Sequence, residues 1–219
     1  MLKLNVSYKE KDIAKKMGAK WDPIEKSWMA PGDSLKEYKP FKRWIDGSNI
    51  IRKEIYIVEA SRKCWKCNKE TPVICFATRN YYDLEANSES AFNNWVFTSG
   101  FSQIPDVVFN YVQSNYNFKL KYSRTIGDSY HANCCKWCDS LQGNNYLFFE
   151  PFESPFYVHD QASAQKLLLH KIPLKYDFPA DFGDMLPVVI GSGGISGKEE
   201  NLLIEKYSNF KNIDLYTNI

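Results

Sequence analysis

The residues of this chain best suited to chemistry are six cysteines: Cys64, Cys67, Cys75, Cys134, Cys135 and Cys138. Four of them fall into two C-x-x-C pairs, Cys64-Trp65-Lys66-Cys67 and Cys135-Lys136-Trp137-Cys138. Two residues between thiolates let a tight turn aim both sulfurs at one ion, and two such turns complete a tetrahedral zinc site with Zn–S of about 2.3 Å. The alternatives are two redox pairs or unrelated thiols. No βαβ setting surrounds either pair, which speaks against redox chemistry. Four thiolates leave no open position for a reacting water, so the zinc (Zn2+) is read as structural. Cys134 and His131 leave the ligand set open at one place. Cys135 is preferred because it gives the standard two-residue spacing. The stretch His131-Ala132-Asn133 before a C-x-x-C touches the zinc deaminase pattern, but Asn133 cannot serve as the catalytic acid/base.

A second group of residues points to a polyanion. Net charge is +2 overall. Residues 1–63 hold 15 Lys+Arg against 9 Asp+Glu, a net of +6, and the remainder holds 13 against 17, a net of −4. Lys15, Lys16, Lys20 and Lys26 cluster near Trp28, and basic side chains beside a ring suit a phosphate backbone with an unstacked base. The plainer alternative is that Trp21 and Trp28 form a small core with a solvated lysine rim. Aromatics make up 16% of the chain, and most of them are expected inside.

Other patterns are weaker. Gly191–Lys198 forms a glycine-rich loop, but it is neither a Walker A sequence nor a dinucleotide fingerprint. No Ser/His/Asp or Cys/His constellation stands out, so no catalytic residue is assigned and the chain is expected not to be an enzyme. No small-molecule substrate is indicated. No run of about 18 apolar residues exists to span a membrane, and the start MLKLNVSYKEKD lacks the apolar stretch of a secretory signal. The expected compartment is the cytoplasm.

The elements that position these residues are expected to form an α+β fold in three parts. Residues 1–47 read as a basic module: a short strand at 2–6, a helix from Ser7 to Gly18, a hairpin of 19–21 and 27–29, and a second helix from Ser34. Ile13 and Met17 are expected on one helix face. Residues 48–150 read as a zinc ribbon split by an insertion at 80–130. The pairs are separated by residues 68–134, against about 15–20 residues in a compact ribbon. Helices are expected at Ser88–Trp95 and Ile104–Tyr116, and strands at Pro72–Ala77 and Asn145–Phe149. The ion is expected to clamp the insertion, so that its removal loosens the whole central domain. Residues 151–219 carry five prolines and read as a wrap with short helices at Asp160–His170 and Glu199–Tyr207.

Two stretches carry family resemblances. Val6–Asp12, Ala14–Pro23, Lys26–Pro31 and Phe41–Trp44 place Gly18, Trp21, Asp22, Lys26 and Trp28 in a register that resembles a small bacterial domain of unknown function. That domain is an appendage of plasmid-borne primases, relaxase-like proteins and other mobile-element proteins. The K-x-W hairpin is also loosely similar to the HARP domain of annealing helicases, which binds DNA junctions. Cys64–Phe149 resembles a group of bacterial zinc-ribbon proteins with a late C-x-x-C followed by Leu-Gln-Gly, here Leu141-Gln142-Gly143; Asp139 stands where that group has Gly. The resemblances imply a bacterial or mobile-element accessory protein with DNA or RNA as partner. The competing expectation is a protein-binding adaptor or inhibitor that uses exposed aromatics in the region 80–130, for instance in phage–host conflict.

Overall fold

The computed structural model describes residues 1–86, 88–89, 95–187 and 197–216. Leu2–Leu4 (β1), Lys20–Asp22 (β2) and Ser27–Ala30 (β3) form an antiparallel sheet in the order β1-β3-β2. Between β1 and β2 lies a short helix, Lys11–Lys16 (α1), which follows a 3-10 turn at Tyr8–Glu10. It stops at Gly18, whose φ of 98° suits a residue without Cβ. The three-residue period of the preceding turn rotates the helix face. Ala14 is therefore the buried residue, while Ile13 and Met17 stand in solvent. Ser7 donates its hydroxyl to Glu10 and makes no backbone cap.

Ser34 and Glu37 do form a full capping box, which starts Leu35–Tyr38 (α2). The chain then tightens into a 3-10 stretch, Lys39–Trp44, with Pro40 at its start. Leu35, Tyr38, Phe41 and Trp44 recur every three residues and are all buried, as the 3-10 period requires. The module does not end its core at residue 47. Ile50 and Tyr82 from the next sheet complete it. Gly47 sits so close to Ala180 that a Cβ there would lie 2.8 Å from the Ala180 nitrogen. Asp177 also ties the parts together: Tyr38 donates to it, and Arg52 pairs with it at 3.5 Å.

The remaining strands are Asn49–Ile51 (β4), Glu54–Lys63 (β5), Glu70–Thr78 (β6), Tyr81–Asp83 (β7), Ser88–Glu89 (β8), Val96–Thr98 (β9), Phe118–Ser123 (β10), Asp128–Asn133 (β11), Leu168–Pro173 (β12), Phe178–Ala180 (β13), Met185–Pro187 (β14) and Asn209–Asn212 (β15). The helices are Asp106–Asn115 (α3), Gln161–Gln165 (α4) and Gly197–Tyr207 (α5). A six-stranded sheet runs β14-β9-β6-β5-β12-β15, antiparallel except for β12 with β15. A four-stranded sheet runs β13-β4-β7-β8, and β10 and β11 form a separate hairpin.

Alternation along β5 and β6 explains the layering. Tyr56, Val58 and Ala60, with Val73, Cys75 and Ala77, face one core that takes in Leu147, Phe148, Leu167 and Ile204. Ile55, Ile57, Ile74 and Phe76 face the other, beneath Val108 and Val112 of α3. The sheet is covered on both sides at its middle, so Ile55–Val58 of β5 and Val73–Ala77 of β6 are apolar at every position.

Four local expectations are corrected. Ser88–Glu89 is strand, and residues 90–94 of that expected helix lie outside the described residues. Asn145–Phe149 is a π-helical turn, since Leu147 and Phe148 both turn into the core. The helix expected over Asp160–His170 ends at Gln165, where its Asp160–Ser163 capping box is spent, and Leu168 onward is strand. The C-terminal part is more than a wrap, because β12 lies beside β5 inside the large sheet. The glycine loop at 191–198 lies mostly outside the described residues. Among the described residues no helix is long and apolar enough to cross a membrane.

Candidate metal centre

The first cysteine pair occupies the tip of the β5–β6 hairpin, and the second follows β11. Both turns are built alike. The Asn68 N–H donates to the Cys64 carbonyl at 2.9 Å, and the Asp139 N–H to the Cys135 carbonyl at 2.9 Å. Asn68 and Asp139 both sit at φ 58°, a conformation that Asn and Asp tolerate better than other residues with a Cβ. Each turn closes on its own base: Cys64 N–H to Lys69 at 2.9 Å, Cys135 N–H to Ser140 at 2.8 Å. Asp139 therefore fits the position where Gly was expected.

The fold brings Cys64, Cys67, Cys135 and Cys138 together, with all four sulfurs within 4.8 Å of one another. The Cys64–Cys138 and Cys67–Cys135 separations are 3.6 and 3.7 Å. A tetrahedron with Zn–S of about 2.3 Å has edges of about 3.8 Å, so the four sulfurs fit a tetrahedral thiolate-binding metal. Backbone N–H groups support the sulfurs: Lys66 donates to Cys64 and Trp137 to Cys135, each at 3.4 Å. Cys134 is excluded from the set. It is buried beside the cluster and pairs with the Ala132 carbonyl. His131 packs against Phe109 and Phe118 instead.

Electrostatics agree with this division. The Ser140 hydroxyl holds the Cys138 thiol down at about 6. Burial pushes Cys64 up, but N–H groups of Cys67 and Lys66 bring it below its usual range. Against a hydrogen bond from Lys69, burial and the neighbouring sulfurs drive Cys67 to about 11. Thiolates this crowded cannot all be charged without a cation between them. Burial raises Cys75 and Cys134, which keeps both as neutral thiols.

The surroundings include residues that spacing alone does not reveal. Gln142 is fully buried and donates to Cys64 Sγ at 3.5 Å and to the Ser140 carbonyl at 2.8 Å. The Leu-Gln-Gly triplet was its only signal in the sequence. The Trp65 indole N–H reaches across to the Leu141 carbonyl, and the Trp137 indole N–H reaches back to the Glu70 carbonyl, both at 2.8 Å. Asn133 bonds both backbone groups of Ile74, at 2.7 and 2.8 Å, and joins β11 to β6. Asp139 pairs with Lys119 and Lys121 of β10, at 2.5 and 2.6 Å. These two cations, Lys119 first, hold its carboxyl well below the usual range. Elsewhere, Glu59, Tyr116 and His170 close a hydrogen-bonded trio that braces α3 against the sheet.

In the N-terminal module, Lys15, Lys16, Lys20 and Lys26 are all exposed, and none forms an ion pair among the described residues. Trp28 is half-buried and meets Trp21 edge-on at 5.8 Å. Trp21 is the more open ring, 52% exposed.

Comparison with known proteins touches only this module. Residues 1–46 match a family described as a domain of unknown function, DUF5710. The DNA primase TraC of Escherichia coli is 44% identical over 45 residues, which is 20% of this chain and 3% of that protein. The chain thus corresponds to a very small part of that relative's length. No solved structure matches the chain. What the comparisons establish is the likeness of residues 1–46 to this family and of 45 residues to a segment of a DNA primase.

Proposed function

We propose that the chain is a non-catalytic accessory protein of bacteria or their mobile elements that binds zinc and, weakly and with little sequence preference, nucleic acid. The zinc is carried by Cys64, Cys67, Cys135 and Cys138 and serves the fold. The observation that supports the binding reading is the set of four exposed, unpaired lysines in a module similar to a segment of a primase. Few phosphate contacts imply modest affinity with a clear salt slope. The described part contains no helix with Arg or Asn at successive turns to read bases, so sequence tolerance is expected.

The test is a titration of single- and double-stranded DNA and RNA at two salt concentrations. Wild type is compared with a Lys20→Glu/Lys26→Glu variant. Binding that falls with salt and weakens severalfold in the variant supports the reading; binding unchanged by the variant removes the module from it. A second reading, a protein-binding adaptor, is favoured by Leu120, Tyr122 and Ile126, which lie exposed on and beside the β10–β11 hairpin. Such binding would be largely insensitive to salt.

A further inference from the structure

The metal centre has an outer surface that the lysine-rich module does not account for. Trp65 and Trp137 are 65% and 56% exposed, although each indole N–H is already bonded to the opposite turn. An exposed tryptophan whose N–H is satisfied internally is fixed in place with open ring surface. Stacking needs ring surface and no hydrogen bond, so these are preorganised platforms for a flat partner. Cations gather at the second ring. Lys69 and Lys136 sit over the Trp137 ring, 5.1 and 4.7 Å from its centre, on flexible stems that a stacked base can displace. Lys63, the last residue of β5, and Lys66, between the first two cysteines, are exposed. The acidic groups nearby do not cancel this charge. Asp139 is engaged by Lys119 and Lys121. Glu70 accepts from the Ser61 hydroxyl, which does not neutralise it, and stands across the ladder from Lys63, so one free carboxylate is set against Lys63, Lys66, Lys69 and Lys136. Lys66, Lys69 and Lys136 form a positive island within residues 64–219, the part of the chain whose net charge is −4.

We infer that the tip of the double knuckle is a contact surface for single-stranded nucleic acid: Trp65 and Trp137 stack unpaired bases, and Lys63, Lys66, Lys69 and Lys136 meet the flanking phosphates. A duplex offers no free base faces along its length, so the surface favours single strands. This inference rests on the reading that the partner is a nucleic acid, and it adds a second contact besides the N-terminal lysines.

The experiment uses the full zinc-loaded chain and a fluorescent oligothymidine. A Lys66→Glu/Lys69→Glu/Lys136→Glu variant is compared with wild type and with Lys20→Glu/Lys26→Glu, and metal content and melting are checked in each. The tip variant is expected to bind about tenfold more weakly or worse. Its slope of log affinity against log salt should shrink by about two, for three lost phosphate contacts. Affinity within twofold of wild type, in a variant with intact metal and melting, overturns the inference. Photocrosslinking of the wild type to an iododeoxyuridine-containing strand needs no variant. Crosslinks in the peptides carrying Trp65 or Trp137 support the surface; crosslinks confined to other peptides overturn it. If only the N-terminal variant loses binding, this inference falls and the proposed function stands. If the wild type binds no oligonucleotide at low salt, both fall.

Discussion

Gln142 sharpens what holds the metal at the level of single residues. A buried amide that donates to a thiolate supports the sulfur's negative charge and orients it, and such outer partners typically change metal affinity by 10–100-fold. Gln142→Leu keeps the volume and removes the donor. The expected result, read by competition with a zinc chelator, is about tenfold weaker metal binding at unchanged stoichiometry. Cys134→Ser is the matched control and should leave metal affinity unaltered, since its sulfur points to the Ala132 carbonyl. The four clustered cysteines were legible in the sequence because C-x-x-C spacing is a local code. The choice of Cys135 over Cys134 followed from the same code. Gln142, Trp65 and Trp137 were not assignable, because their partners lie across the site on the other turn and no local spacing records that.

Among the elements, β12 was the least readable and is the most instructive. The Asp160–Ser163 capping box announces a helix, and the run of leucines after it continues the helical pattern by eye. What overrides it is pairing with β5, more than a hundred residues earlier. There Leu169 faces one core and Ile172 the other, on opposite faces as strand geometry requires. Tertiary burial decides between helix and strand when local propensity is ambiguous. The same cause hid β9 and the π-helical turn at 145–149. The N-terminal hairpin and the capped segment from Ser34 were legible, because turns, spacing and capping box are all local; the first helix was legible in place but not in its cap, since the Ser7 hydroxyl goes to the Glu10 side chain. Ile172 is completely buried, so Ile172→Ala leaves a cavity beneath α3. A loss of about 2–5 kcal/mol is expected in denaturant unfolding. A loss under about 0.5 kcal/mol, the usual surface value, would mean that β12 is not a core strand.

For the whole molecule, the position of the metal sets what its removal can do. The sulfurs sit at the end of the β5–β6 hairpin, outside all three apolar cores. The sheet is joined without them by β5–β6 and β5–β12 pairing and by Asn133 on Ile74. The expectation from sequence, that metal loss loosens the entire central domain, treated the ion as the clamp of a bare insertion. The structure supplies other clamps. Chelation should therefore free four crowded sulfurs to separate and fray the tip, because mutual repulsion and proton uptake favour opening there. Hydrogen exchange with and without a chelator makes this measurable. Amides of 61–71 and 134–142 should lose protection on metal removal. Those of residues 55–58 and 74–77, and of the module whose core holds Leu2, Tyr38 and Trp44, should keep it. Uniform loss of protection over all these segments would show that the ion, and not the paired sheet, holds the chain together.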